Sequence, residues 1–136
     1  MLNVDARTGI EILDRDASLA LLADDVVGRL GVVDHGSPRI FPVNYVLDGD
    51  TVVFRTAHGT KLDVGPRSPA CFEIDRFDHA SRTGWSVLVV GHLEEVDQFE
   101  RTWDRLRQLP VDPWAVGVKD HLMRLTPEHI GGRRVT

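Results

Sequence analysis

Apolar residues recur along this chain at two spacings, and the change between them divides it into elements. An extended Ile10 to Leu13 leads to Asp14, an N-cap residue for a helix on which Leu19, Leu22 and Ala23 share one face, about three turns long. From Val26 the period becomes that of sheet. Val26 to Val33, Ile40 to Leu47 and Thr51 to Thr56 are separated by Asp34-His35-Gly36-Ser37-Pro38 and by Asp48-Gly49-Asp50, whose Gly and Asp residues suit positive φ. These spacings predict three consecutive antiparallel strands.

Two further strands are expected at Ala70 to Asp75 and, after a polar loop from Asp78 to Gly84, at Trp85 to Val96. Helical spacing returns with Phe99, Trp103, Leu106 and Leu109, and Pro110 ends that helix. Pro113-Trp114 belongs to a connector, and His121 to Leu125 is a last strand before a polar tail. Many short strands with few helices predict a mainly β fold, a small closed or nearly closed β-barrel with peripheral helices, although the pattern alone also suits a sandwich. The 136 residues suit one domain, 1–136.

Composition narrows the function. With 42% hydrophobic and 27% charged residues the chain lies outside the disordered class. Its 16 Lys and Arg against 21 Asp and Glu give a net charge of −5, with no basic run to track phosphates, so no nucleic-acid partner is expected. The opening MLNVDARTGIEI lacks a basic-then-apolar leader, and the apolar runs, such as Val87 to Gly91, are strand-sized, so no membrane partner and a cytoplasmic location are expected. Cys71, the single cysteine, cannot form an intrachain disulfide. The six histidines show no ligand spacing, and no metal site is expected.

Three stretches carry candidate chemistry. Phe54-Arg55-Thr56-Ala57-His58-Gly59-Thr60-Lys61-Leu62 follows a strand and opens a helical turn over Lys61 to Val64, gathering two cations, two hydroxyls and a glycine. Arg55, Thr56, Thr60 and Lys61 are the partners a phosphate monoester needs, and they equally suit a solvated loop. In Arg39-Ile40-Phe41-Pro42-Val43-Asn44-Tyr45-Val46, Pro42 removes a ladder donor, which marks a strand edge or a place where a flat ligand meets the backbone near Asn44. Trp85 and Ser86, directly after Gly84, put an aromatic and a hydroxyl at a barrel rim, as a ligand contact or as a plug for the barrel end.

Together the Pro-Val-Asn-Tyr strand, the Phe-Arg-Thr-x-x-Gly-Thr-Lys-Leu segment and the Gly-Trp-Ser-Val-Leu-Val-x-Gly strand resemble the FMN-binding split-barrel proteins related to pyridoxamine 5′-phosphate oxidase, in the small bacterial branch that includes nitroimidazole-reductase-like proteins. The resemblance is good over about residues 10–96 and looser at Arg124-Leu125-Thr126-Pro127-Glu128. It implies an FMN-binding split β-barrel in which Val43, Asn44 and Tyr45 contact the flavin ring. By the same resemblance Arg55, Thr56, Thr60 and Lys61 hold the ribityl phosphate, while Trp85 and Ser86 also touch the flavin. It further implies a homodimer with each flavin at the subunit interface.

The expected activity is flavin-dependent oxidoreduction of a small acceptor with a nicotinamide donor; the alternative is a non-catalytic flavin, deazaflavin or haem binding protein of the same fold. No catalytic side chain is singled out. The tail Gly131-Gly132-Arg133-Arg134-Val135-Thr136 has no counterpart to the oxidase's C-terminal Trp and Arg groups, so the resemblance does not extend to vitamin B6 oxidation.

Overall fold

The computed structural model describes residues 3–57, 67–115, 117 and 119–136. The chain runs β1 (Asn3–Val4), β2 (Glu11–Leu13), α1 (Arg15–Ala23), β3 (Val27–Asp34), β4 (Ser37–Asp48), β5 (Thr51–Thr56), β6 (Ser68–Asp78), β7 (Thr83–Glu95), α2 (Trp103–Leu106) and β8 (His121–Val135). All strand pairs are antiparallel, in the order β1-β2-β8-β5-β4-β3-β6-β7, and a further pairing of β8 with β7 closes six of the strands into a ring. The closure leaves no free edge between β7 and β8 and selects the barrel over the sandwich.

The expected meander is present. His35 and Gly36, both with positive φ (50° and 80°), form the two-residue loop between β3 and β4, as a type I′ turn requires. At the β4–β5 hairpin Gly49 takes φ 62° between the paired Asp48 and Thr51. Inward residues of alternate positions, among them Leu30, Tyr45, Val52, Phe54, Phe72, Ile74, Val87 and Val89, fill the barrel. Asp14 caps α1, its carboxylate accepting from the Ala17 amide at 2.8 Å. Leu22 of α1 is fully buried in the barrel core, each such side chain contributing about 1.5–3 kcal/mol of burial.

Four expectations are corrected. On α1 the buried pair is Ser18 and Leu22, with Ala23 exposed, because Ser18 fits beside Gly132 and satisfies its hydroxyl by donating to the Asp14 carbonyl at 2.8 Å. The second helix is a single turn, and Phe99 is 87% exposed. Asp97 turns the chain there, accepting from the Phe99 and Glu100 amides, while Trp103, Leu106 and Leu109 still pack over Val53 and Leu122. The loop after β6 shrinks to residues 79–82, closed by the Asp78–Thr83 pair and by Asp78 accepting from the Ala80 and Ser81 amides.

The fourth correction is the largest. The polar tail is strand: β8 pairs with β5 and β7 through its first half and with β7 and β2 through its second. Two neighbours satisfy its main-chain groups, so its polar residues need only alternate around Ile130. An added Cβ on Gly132 would lie 2.9 Å from the Ser86 carbonyl oxygen and 3.0 Å from Ser18 Oγ, so only glycine lets β8 pass between them. No helix among the described residues is long and apolar enough to cross a membrane.

Gly28 is a second such position: a Cβ there would stand 2.0 Å from Phe72 Cζ. Gly28→Ala should therefore cost about 1–3 kcal/mol in urea denaturation, because the ring it displaces lies in a filled barrel; a loss below about 0.5 kcal/mol would contradict this packing.

On the outer face, Arg29 Nη1 reaches both Glu73 (3.4 Å) and Asp75 (3.5 Å), so one guanidinium serves two carboxylates. Burial first, then the hydrogen bond and charge of Asp75, push the Glu73 carboxyl up to about 7 against the pull of Arg29. A carboxyl raised in this way stabilises the fold below its unfolded value of about 4.5, and that contribution is lost as pH rises through about 7. Thermal melts of Glu73→Gln should show a smaller fall in Tm between pH 5 and 8 than the parent protein; an unchanged slope would refute the assignment.

Candidate functional site

The strands β4 and β5 are paired only from Asp48↔Thr51 to Tyr45↔Phe54. Beyond that point β4 continues along β3 and β5 continues along β8, so the two part like the arms of a fork. Main-chain groups of successive strand residues face opposite sides. The Tyr45 amide donates to the Val26 carbonyl on the β3 side, so the main-chain edges of Asn44 and Pro42 face the gap, opposite those of Arg55 and Ala57. Pro42, which has no N–H, therefore costs no ladder bond there.

A cavity of about 340 Å³ fills the fork. Its walls are Pro42, Val43 and Asn44 on one arm and Arg55, Thr56 and Ala57 on the other, and a strap formed by Pro113, Ala115 and Lys119 crosses its mouth. The volume lies at the lower end of the range for small-molecule sites. The surface is apolar with a few convergent polar groups: amide edges, the Thr56 hydroxyl, and the cations Arg55 and Lys119.

Supporting contacts hold these parts in place. The Arg55 guanidinium donates to the Arg107 carbonyl just after α2. That segment is tied down in turn by Arg105 to Asp48 at 2.7 Å and by Arg124, which reaches Glu94 at 2.8 Å and also pairs with Glu100. The hydrogen bond from Arg124 holds the Glu100 carboxyl below its ordinary range. Asn44 joins the strap to the barrel: its Oδ1 accepts from the Trp114 amide at 2.8 Å, and its Nδ2 donates to the Val26 carbonyl at 3.3 Å.

The residues of the strap divide between two faces. Pro113, Ala115 and Lys119 face the fork, whereas Pro110, Asp112 and Trp114 line a second cavity of about 370 Å³ on the far side of Asn44.

Of the residues singled out in the sequence, Val43, Asn44, Arg55 and Thr56 meet in the fork cavity. Tyr45 does not line it. Its side chain is 2% exposed, packs edge-on to Phe72 with ring centroids 4.8 Å apart, and donates its hydroxyl to the Leu22 carbonyl at 2.6 Å. Burial first, and the nearby Asp25 charge second, raise that phenol well above its ordinary range, so it stays protonated.

Trp85 and Ser86 also stand apart from the cavity, because β7 lies across the ring from β4, with two strands between them in either direction. Trp85 packs against the barrel core, which supports its reading as a plug. Thr60, Lys61, His58 and the helical turn expected over Lys61 to Val64 lie outside the described residues. Sequence reasoning missed the strap, Lys119 included. The alternation of Pro110-Val111-Asp112-Pro113-Trp114-Ala115 was its one signal, and it is weak beside the prolines.

A six-stranded ring opened at one hairpin, with a cavity in the opening, defines the chain as a split β-barrel. The sequence profile of the pyridoxamine 5′-phosphate oxidase family matches residues 14–134, and the chain belongs to that family. An uncharacterized protein of Mycobacterium tuberculosis, Rv0080, is 35% identical over 136 residues, covering 96% of this chain and 88% of its own.

Among solved structures, the FAD binding protein from Mycobacterium smegmatis is 34% identical with a TM-score of 0.77, covering 92% of this chain and 99% of its own. A conserved protein of unknown function from Corynebacterium diphtheriae is 36% identical with a TM-score of 0.78, covering 93% and 98%.

Since the Asn44 side chain bonds the strap to β4, Asn44→Ala should free the Trp114 amide. Hydrogen exchange at Trp114 is expected to rise at least about tenfold, with a loss of about 1 kcal/mol in stability; an unchanged exchange rate would show that the strap is held elsewhere.

Proposed function

We propose that this chain is a homodimeric flavoprotein that holds FMN in the β4–β5 fork and transfers electrons from a nicotinamide donor to a small acceptor. The observation that carries the reading is the fork cavity itself. It brings the strand proposed for the ring, Pro42 to Asn44, opposite the start of the phosphate segment, Arg55 and Thr56. The donor set fits such a ligand. Main-chain edges turned toward the gap match the hydrogen-bonding rim of a heteroaromatic ring, Pro42 and Val43 supply flat apolar contact, and Arg55 offers a planar fork for phosphate oxygens. The proposed phosphate contacts continue through Thr60 and Lys61.

When bound, a flavin supplies two-electron redox chemistry that no side chain of this protein provides. The protein's own share is positional and electrostatic. Asn44 holds the strap that forms one wall of the cavity. The basic side chains of Arg55 and Lys119 favour whichever form of a ligand carries more negative charge, so they assist electron uptake. Neither serves as a general base. Among the described residues lining the fork there is no carboxylate, histidine or cysteine, which is why no catalytic residue is assigned.

Topology supports the proposed dimer. Trp85 and Ser86 lie across the ring from the fork of their own chain, so their proposed flavin contact requires the fork of a second copy. The structural relative from Mycobacterium smegmatis is an FAD binding protein, which supports a flavin as the ligand class and makes FAD the comparison for FMN.

Visible spectroscopy and titration test the reading. Purified protein given FMN should show the two-band flavin spectrum and sediment as a dimer, and NADH should bleach it until an acceptor is added. Arg55→Ala and Lys61→Ala should each weaken FMN binding by about ten- to a hundredfold, as expected for one charge-assisted bond worth about 1.5–3 kcal/mol. Protein that takes up neither FMN nor FAD would overturn the flavin assignment, and FAD binding above FMN would replace the nucleotide proposed here.

A further inference from the structure

The second cavity, about 370 Å³, has a different chemistry from the fork. It lies on the outer side of β4, between the end of α1 and the other face of the strap. Its negative groups come from three separate elements. Ala23 brings the C-terminus of α1, which has no basic residue in its last turn and so presents the negative end of the helix dipole. Asp25 adds a carboxylate whose Oδ1 accepts from the Val26 amide and whose Oδ2 has Arg76 at 3.7 Å. Asp112, on the strap, adds an exposed one.

Trp114 supplies an aromatic wall and is 68% exposed, although its main chain is fixed by Asn44. Val46 and Pro110 complete an apolar surface, and no Lys, Arg or His is among the described lining residues.

We infer that this cavity, lined by Trp114, Asp112 and Asp25, is a binding site for a small organic cation, an ammonium or similar group carried on an apolar or aromatic body. An aromatic face with carboxylates beside it attracts such a cation through the ring quadrupole and through charge, and the apolar wall takes up the body. A simple metal ion would be served poorly, since a hard cation needs several converging oxygens and much of this wall is Trp114, Val46 and Pro110. Asn44 and the strap form a wall common to this site and the fork, which places the cation beside the fork without depending on what the fork holds.

The test is an NMR titration of the purified protein with benzyltrimethylammonium chloride, with benzyl alcohol and phenylacetate as neutral and anionic counterparts. The cation should bind saturably and shift the Trp114 indole resonance, with benzyl alcohol weaker by about tenfold and phenylacetate showing no saturation. Asp112→Asn and Trp114→Leu change exposed side chains and keep the main-chain bond to Asn44, and each should weaken the cation about three- to tenfold. Asp112→Glu should restore most of the loss. Absence of saturable binding, comparable affinity for phenylacetate, or unchanged affinity in both variants would overturn the inference. Because the titration reads neither flavin nor turnover, its failure is distinct from failure of the flavin reading.

Discussion

Everything distinctive in this molecule depends on where one ladder stops. The β4–β5 hairpin pairs as far as Tyr45 and Phe54, and both side chains are held inside the barrel, Tyr45 by its bond to the α1 backbone and Phe54 by complete burial. That last pair is anchored from within. Beyond it each strand keeps its other neighbour, β3 or β8, so the fork opens without leaving either arm unsupported. Two strand edges then face a cavity of about 340 Å³, the size of a small-molecule site.

The surrounding elements maintain that opening. One end of the barrel is filled by Leu22 of α1, and α2 with the turn after it supplies the carbonyl that holds Arg55. Arg124, clamped between Glu94 and Glu100, fixes the approach to α2. Hence a short helix with little intrinsic stability is kept in place by ion pairs and by burial of Trp103 and Leu106. The strap, bonded to Asn44, sits between two cavities of opposite character, one bordered by cations and one by carboxylates.

Much of this was legible in the residues. Period-2 patterning and the Asp and Gly turns located the meander, Asp14 the helix cap, and Pro42 the strand edge that faces the fork. The order of three short segments pointed to the family. What escaped has physical causes. A strand flanked on both sides tolerates polar residues, so the second half of β8 looked like a tail. Apolar positions at helical spacing do not make a helix where Asp97 caps a turn and Arg124 holds Glu100, so Phe99 lies outside the packed face. Tyr45 entered the candidate site through the family resemblance, and its side chain lies in the core, bonded to the α1 backbone. The separation of Trp85 from the fork is a property of ring closure, which no local pattern encodes.

The central claim is that the fork between residues 42–44 and 55–57 is where a flavin lies. A crystal structure of the protein grown with FMN tests it most directly. The account predicts electron density for a planar tricycle between those two arms, with its phosphate beside Arg55 and Thr56 and Trp85 of a second copy against it. Flavin bound at any other surface, with the fork open to solvent, would contradict it.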